Sequence, residues 1–143
     1  MTSYDLDEVL AIEQTSFSTP WTKAMFREEL FIPLCHDLVA MCDERIVGYI
    51  CFSIVVDEVH LRNIAVHGDW KRRGIASKMI AEMICLSSEK GADRVTLEVR
   101  ESNRGAIDLY KKFGFVVKGV RPLYYNDTGE DALILWADFE GML

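Results

Sequence analysis

The sequence predicts an α/β or α+β domain in which helices pack on a mixed β-sheet, and three observations carry that expectation. The chain has 143 residues, 50% of them apolar and 27% charged, enough for one well-buried core and the balance of a globular chain rather than a disordered one. Segments with helical apolar spacing alternate with strand-like runs, in the order helix pair, three strands, helix, strand, helix, two strands. Finally, "RVTLEVR" alternates Val95, Leu97 and Val99 against Thr96, Glu98 and Arg100, the pattern of a strand with two different faces. No repeat or low-complexity linker interrupts the chain, so residues 1–143 read as a single domain.

Each element follows from its own residues. Leu6, Val9, Leu10 and Ile12 fall at helical spacing and predict a helix over about 5–16. Ser18-Thr19-Pro20-Trp21 breaks it, and Thr22 is placed to cap a second helix through "KAMFREELF". "DLVAMCD" and "IVGYICFSIVV", with Asp43-Glu44-Arg45 between them, read as a hairpin, and after Asp57-Glu58 "VHLRNIAV" reads as a third strand. "GIASKMIAEMICLSSEKG" is the clearest helix. Ile75, Met79, Ile80, Met83, Ile84 and Leu86 form its apolar stripe, and Gly91 stops it. After the strand at 94–100, Ser102 or Asn103 caps a short helix, "RGAIDLYKKF", that ends at Gly114. "FVVKGV" and "EDALILWADF" are the last strands, joined by "RPLYYNDTG".

A formal net charge of −7 argues against general nucleic-acid binding, which needs a basic face for the phosphates, and suits a cationic substrate instead. The apolar runs fall well short of the ~20 residues that span a bilayer, so no membrane association is expected. "MTSYDLDEVLAIEQ" lacks the basic and apolar regions of a secretory signal, so a cytoplasmic location is expected. Cys35, Cys42, Cys51 and Cys85 show neither C-x-x-C spacing nor a matching set among His36, His60 and His67; free thiols and no metal are expected.

Against this acidic background "KRRGIA" (71–76) stands out. Small residues at a strand-to-helix turn let the backbone approach a ligand, and the helix start offers unpaired N–H groups to phosphate oxygens. A solvated basic turn explains the cations equally well. Neither G-x-x-x-x-G-K-[ST] nor G-x-G-x-x-G occurs in the chain.

"LRNIAVHGDWKRRGIASKMIAEM", followed by "VTLEVRESNRGAIDLYKKFGFV", resembles the GNAT N-acetyltransferase superfamily over roughly residues 5–139. That signature is a strand, R/Q-x-x-G-x-G/A opening a long helix, another strand, an Asn, and a short helix carrying a Tyr before Gly-Phe. Lys71 departs from it, standing where Arg or Gln is usual. "FSTPW", "DEVHLRNIAV", "LEVRESNRGAIDLY" and "YYNDTGEDALIL" are similar to the bacterial RimI type, whose members acetylate the N-terminal alanine of small-subunit ribosomal protein eighteen. The resemblance implies a mostly antiparallel sheet of six to seven strands with about four helices. "MTSY" leaves little room for the usual first strand. It also implies acetyl-CoA as co-substrate, a protein N-terminal peptide as partner, and a monomer or weak homodimer. By this likeness Ile64, Ala65 and Val66 line the acetyl and pantetheine arm, and Lys71, Arg72, Arg73, Gly74, Ile75 and Ala76 hold the pyrophosphate. Asn103 contacts the cofactor, Glu98 is the general base and Tyr110 the general acid.

The chemistry these roles require is simple. An α-amine with a pKa near 7.7–8.0 is mostly protonated at neutral pH and must lose a proton before it attacks a thioester. Glu98 lies near the C-terminal end of its strand, where α/β sheets bind ligands, although a salt-bridged Glu98 paired with Arg100 or Lys118 fits the sequence too. Asn103 and Tyr110 share a helical face, and Tyr110 reads either as proton donor or as a core tyrosine. A backbone N–H near Ala65–Val66 is the natural oxyanion donor. No Cys-His pairing is evident, so direct transfer is expected. Glu58 and His60 remain alternative bases or substrate contacts. Trp21, Tyr124 and Tyr125 read either as loop packing or as walls of a peptide groove. Acetylation of a small amine, and a non-catalytic acetyl-CoA-binding module, stay open as alternatives.

Overall fold

The structure, a computed structural model, describes residues 1–140. After a 3₁₀ turn at Ser3–Asp5 the chain forms α1 (Leu6–Ser16), α2 (Lys23–Glu29), β1 (Cys35–Cys42), β2 (Arg45–Val55) and β3 (Glu58–Val66). It continues through α3 (Ile75–Glu89), β4 (Arg94–Arg100), α4 (Arg104–Lys112), β5 (Val116–Arg121) and β6 (Ala132–Asp138). The Thr22 hydroxyl caps α2 by accepting the Met25 N–H at 3.2 Å, and Asn103 Oδ1 caps α4 by accepting the Ala106 N–H at 3.3 Å. The hairpin turn between β1 and β2 is confined to Asp43 and Glu44, both with positive φ (51° and 66°), as a two-residue hairpin turn needs; Arg45 already belongs to β2.

The described residues form one sheet of six strands in the order β1-β2-β3-β4-β6-β5, antiparallel except for β3 beside β4. That one parallel pair requires a crossover, and α3 supplies it. On one face α3 and α4 cover a core that includes Ile50, Leu61, Leu97 and Leu135; on the other, α1 and α2 bury Leu6, Val9 and Phe26 against Tyr49 and Cys51. Met79, Ile80, Met83 and Ile84 dock α3, each burial worth roughly 1.5–3 kcal/mol.

Two departures from regular pairing shape the site. Cys51 pairs with Asn63 and Phe52 with Leu61, so Arg62 is an extra residue, a bulge in β3. Val59 and Leu61 face the α3 core, and beyond the bulge Ile64 and Val66 do so; Asn63 and Ala65 turn to the α1 side. Strict alternation from Leu61 would have done the reverse. The parallel pairing of β3 with β4 also ends at Leu61 and Leu97. Beyond it β3 stays paired to β2 as far as Val66, and β4 to β6 as far as Arg100, so the sheet opens between residues 62–66 and 98–100.

Candidate active site

The gap leaves one edge of β3 without a partner strand. His67 N–H donates to Val47 O at 2.8 Å, toward β2, and by alternation so does Ala65, whereas Ile64 and Val66 direct their amides into the gap. Gly48 lets α3 lie close to this segment. A Cβ there would stand 3.0 Å from Ala65 O and 3.1 Å from Met79 Cε.

From the gap a cavity of about 500 Å³ runs to the start of α3, lined by Ile64, Ala65, Val66, Lys71, Arg72, Gly74, Ile75 and Ala76. Arg72 and Gly74 both have positive φ (63° and 78°) with Arg73 between them outside that region. Such alternation makes a concave nest of backbone N–H groups, and it opens directly into the first turn of α3, where amides are free and the helix dipole is positive. Such a cradle could hold phosphate oxygens, and with the open edge of β3 its shape fits the pyrophosphate and the extended amide-bearing arm of acetyl-CoA. The Arg73 side chain does not join it, although its backbone lies within the nest. Its guanidinium lies over the Trp70 ring, 4.8 Å from the centroid, and it lines a separate cleft with Leu38, Lys78 and Glu82.

A second cavity, about 750 Å³, meets the first at Phe17, Ile64, Asn103, Ala106 and Tyr110. Its walls also include Trp21, Glu98, Tyr124 and Tyr125, so with Ile64, Asn103 and Tyr110 seven expected site residues come together there. Tyr124 and Tyr125 pack edge to face at 5.1 Å, and the Arg100 guanidinium lies 4.0 Å from the Tyr125 centroid. Glu58 is not part of this constellation. It sits at the opposite end of β3 with Oε2 3.6 Å from Arg94 Nε, because β3 runs toward the gap and Glu58 begins it.

Glu98 projects from the open face of β4 and is paired, though not with Arg100 or Lys118. His60 Nε2 is 2.7 Å from Oε2, and Arg121 Nη2 is 3.7 Å from Oε1. The hydrogen bond to His60, aided by the charges of His60 and Arg121, holds the carboxyl below its usual range despite partial burial. Tyr110 lies at the junction of the two cavities on the buried face of α4, with its ring 5.5 Å from Phe115. Burial pushes its hydroxyl up, so the phenol stays protonated at any working pH.

Several neighbours were not foreseen in the sequence. Glu13 of α1 is buried at the floor of the second cavity, where it accepts the Tyr49 hydroxyl, Asn63 Nδ2 at 2.7 Å and the Trp21 N–H at 2.8 Å. It thus ties α1, β2, the bulged β3 and the Trp21 loop together. Burial, then the bond to Glu13, raises the Tyr49 hydroxyl far above its ordinary value. The signal was legible: Glu13 continues the Leu6–Val9 stripe at helical spacing, a carboxylate on an apolar face. Beneath the groove, ligand-type atoms of Glu29, Asp37 and Cys51 lie within 4.8 Å of one another, and Glu29 Oε1 accepts Arg62 Nη1 at 2.9 Å. All four cysteines are free thiols.

An anion cradle at a helix start, a split between two strands, and a carboxylate and a phenol at the mouth of an adjoining groove define an acyl-transfer enzyme that draws on a phosphate-bearing thioester. Residues 6–115 match the acetyltransferase (GNAT) family, and the chain belongs to that family. A Bacillus subtilis (strain 168) relative, provisionally named a ribosomal protein bS18-alanine N-acetyltransferase, is 43% identical over 133 residues, covering 92% of this chain and 88% of the relative. The ribosomal protein bS18-alanine N-acetyltransferase of Salmonella typhimurium is 32% identical over 140 residues, 94% and 92% of the two chains. The crystal structure of the ribosomal-protein-S18-alanine N-acetyltransferase from Escherichia coli superposes with a TM-score of 0.89 at 29% identity, covering 96% of this chain and 90% of that one. No helix among the described residues is long and apolar enough to cross a membrane.

Proposed function

We propose that this acetyltransferase acts on the α-amine of a protein N-terminus, with the N-terminal alanine of a small-subunit ribosomal protein as its substrate, by direct transfer from acetyl-CoA. The observation that carries this reading is the junction of the two cavities at Ile64, Asn103 and Tyr110, with a groove walled by Glu98, Trp21, Tyr124 and Tyr125 on one side and an anion cradle on the other. The names of the relatives point to the same substrate.

In this reading the nest at 72–74 and the first turn of α3 hold the pyrophosphate, and the amides of Ile64 and Val66 orient the arm that carries the thioester. Either amide also faces the oxygen that gains charge as the amine attacks. Glu98 accepts the proton the ammonium must lose, directly or through a water. Tyr110 gives a proton to the departing thiolate, its buried hydroxyl being the donor at the junction. Trp21, Tyr124 and Tyr125 hold the first residues of an extended peptide, and the Glu13 anchor fixes the wall that Trp21 belongs to.

The test is a competition of amines. The protein is incubated with acetyl-CoA and a peptide beginning Ala-Arg, beside spermidine and free lysine, with thiol release followed and the modified nitrogen assigned by mass spectrometry. Acetylation of the peptide α-amine is the expected result. Modification of polyamines or side-chain amines with the α-amine untouched overturns the reading.

A further inference from the structure

Arg62, the extra residue of the β3 bulge, has no part in the proposed transfer, yet it stands across the gap from the carboxylate that meets the amine. The last paired residues of the two strands, Leu61 and Leu97, both turn into the core under α3 and α4. Arg62 and Glu98 come next, on opposite sides of the opening, and both line the second cavity. They do not pair with each other: Glu98 is held by His60 and Arg121, and Arg62 by Glu29. A carboxylate and a guanidinium thus flank the mouth of the gap.

The guanidinium is held in place and only partly used. Its Nη1 donates to Glu29 Oε1 at 2.9 Å and to Cys35 Sγ at 3.3 Å, and the Trp21 ring lies against it, with the centroid 5.5 Å from Cζ. A guanidinium carries five N–H donors in a rigid plane. Both bonds come from Nη1, so the donors of Nη2 and Nε remain for a ligand, and 35% of the side chain is exposed. Burial raises Glu29 to about 7, so near neutrality a proton takes up part of its charge and Arg62 is not fully offset. Distance selects the substrate residue that reaches this group. Neighbouring strands lie about 4.8 Å apart, so a side chain on the residue whose amine meets Glu98 spans the opening. Each further residue of an extended peptide lies roughly 3.3 Å farther out.

We propose that Arg62 reads the side chain of the first substrate residue, and that the groove takes N-termini beginning with aspartate beside those beginning with alanine. The inference rests on the proposed action on a protein α-amine. The α-ammonium lies against Glu98 while the β-carboxylate accepts from Nη2 and Nε of Arg62, so each charge of the first residue meets its opposite. A planar carboxylate suits the two parallel donors of a guanidinium better than a point charge would. Asparagine, of the same shape, keeps no charge for Arg62 to attract, and a lysine in first place is repelled by it. Alanine is neutral and too short to reach Arg62, so it enters without contact or penalty.

The test compares peptides that differ only in a first residue of Ala, Asp or Asn, by kcat/KM at neutral pH, with the acetylated nitrogen assigned by mass spectrometry. The wild type should favour Asp over Asn. Arg62→Met should lower that ratio by about fivefold or more, the scale of a partly exposed, charge-assisted pair, and Arg62→Lys should keep part of it. A ratio taken within each variant cancels any general loss of activity, which a merely structural role for Arg62 would cause for all three peptides alike. No preference for Asp over Asn in the wild type, or a preference that survives in Arg62→Met, overturns the proposal while acetylation of the Ala peptide leaves the proposed function standing. If no peptide α-amine is acetylated, the proposed function falls and this inference with it.

Discussion

Asp127, in the loop between β5 and β6, accepts both terminal nitrogens of Arg100 at 2.9 and 2.8 Å. The same carboxylate accepts the Ser18 hydroxyl at 2.7 Å and that of Thr19 at 3.2 Å. It therefore joins the loop after α1 to the loop after β5 across the second cavity, and the bond to Arg100 holds its carboxyl well below the usual carboxylate range. Asp127→Ala should raise KM for the peptide about two- to fivefold, the scale of an exposed ion pair, with little change in KM for acetyl-CoA. The effect should shrink at high salt, which screens the wild-type pair as well. Equal loss toward both substrates would mean that the bridge supports the fold rather than the groove.

Buried charge under the groove predicts a pH-dependent stability. Burial, together with the nearby Asp37, raises Glu29 to about 7. The folded state thus holds this proton more tightly than the unfolded chain, so the stabilising contribution is complete below about pH 4.5 and is lost as pH rises through about 7. Chemical denaturation should show stability falling between pH 5 and 8 by an amount of order 2–3 kcal/mol, and Glu29→Gln should flatten that slope. An unchanged slope in the variant would assign the pH dependence to other groups.

The cofactor cradle separates backbone from charge. Gly74 has φ 78° with nothing within 4 Å of an added Cβ, so Gly74→Ala meets no clash, only the left-handed penalty of roughly 1–2 kcal/mol. If the loop relaxes to relieve it, KM for acetyl-CoA should rise by about tenfold. Arg73→Ala, by contrast, removes a side chain stacked on Trp70 and should change that KM less than about twofold. Steady-state kinetics of both variants with acetyl-CoA varied checks the contrast, and a larger rise in KM for Arg73→Ala would reverse the assignment.

Close approach is a separate requirement. Gly48→Ala would put a methyl group 3.0 Å from Ala65 O, in backbone that has little freedom to move, at a cost of about 1–3 kcal/mol. Because Ala65 lies between the two amides that face the gap, thermal unfolding and acetyl-CoA affinity should both fall. Loss of stability with full affinity would show that the gap tolerates the shift.

The elements were legible because their patterns are local. The α3 stripe, the alternation of 94–100 and the caps Thr22 and Asn103 all follow from residues within one or two turns. The bulge at Arg62 was not, since "HLRNIAV" carries apolar residues compatible with either face and only the pairing with β2 decides where alternation breaks. The same holds for the groove. Glu98, Tyr110, Trp21 and the tyrosine pair, which line one cavity, were singled out in the sequence, but Asp127 meets Ser18 from 109 positions away, a contact that no local pattern encodes. The Glu58 side chain and the Arg73 guanidinium lie away from the two cavities for a related reason: spacing places a residue on an element, and only the fold says which end or side its side chain faces.

In the proposed reaction Glu98 takes the proton of the attacking amine. This step is tested most directly by the single-turnover rate of Glu98→Gln with saturating acetyl-CoA and an Ala-Arg peptide. A general base at Glu98 requires a fall of about a hundredfold or more at pH 7, with acetyl-CoA affinity preserved and the deficit smaller at pH 9, where much of the amine is already free. Near wild-type turnover at pH 7 would contradict it.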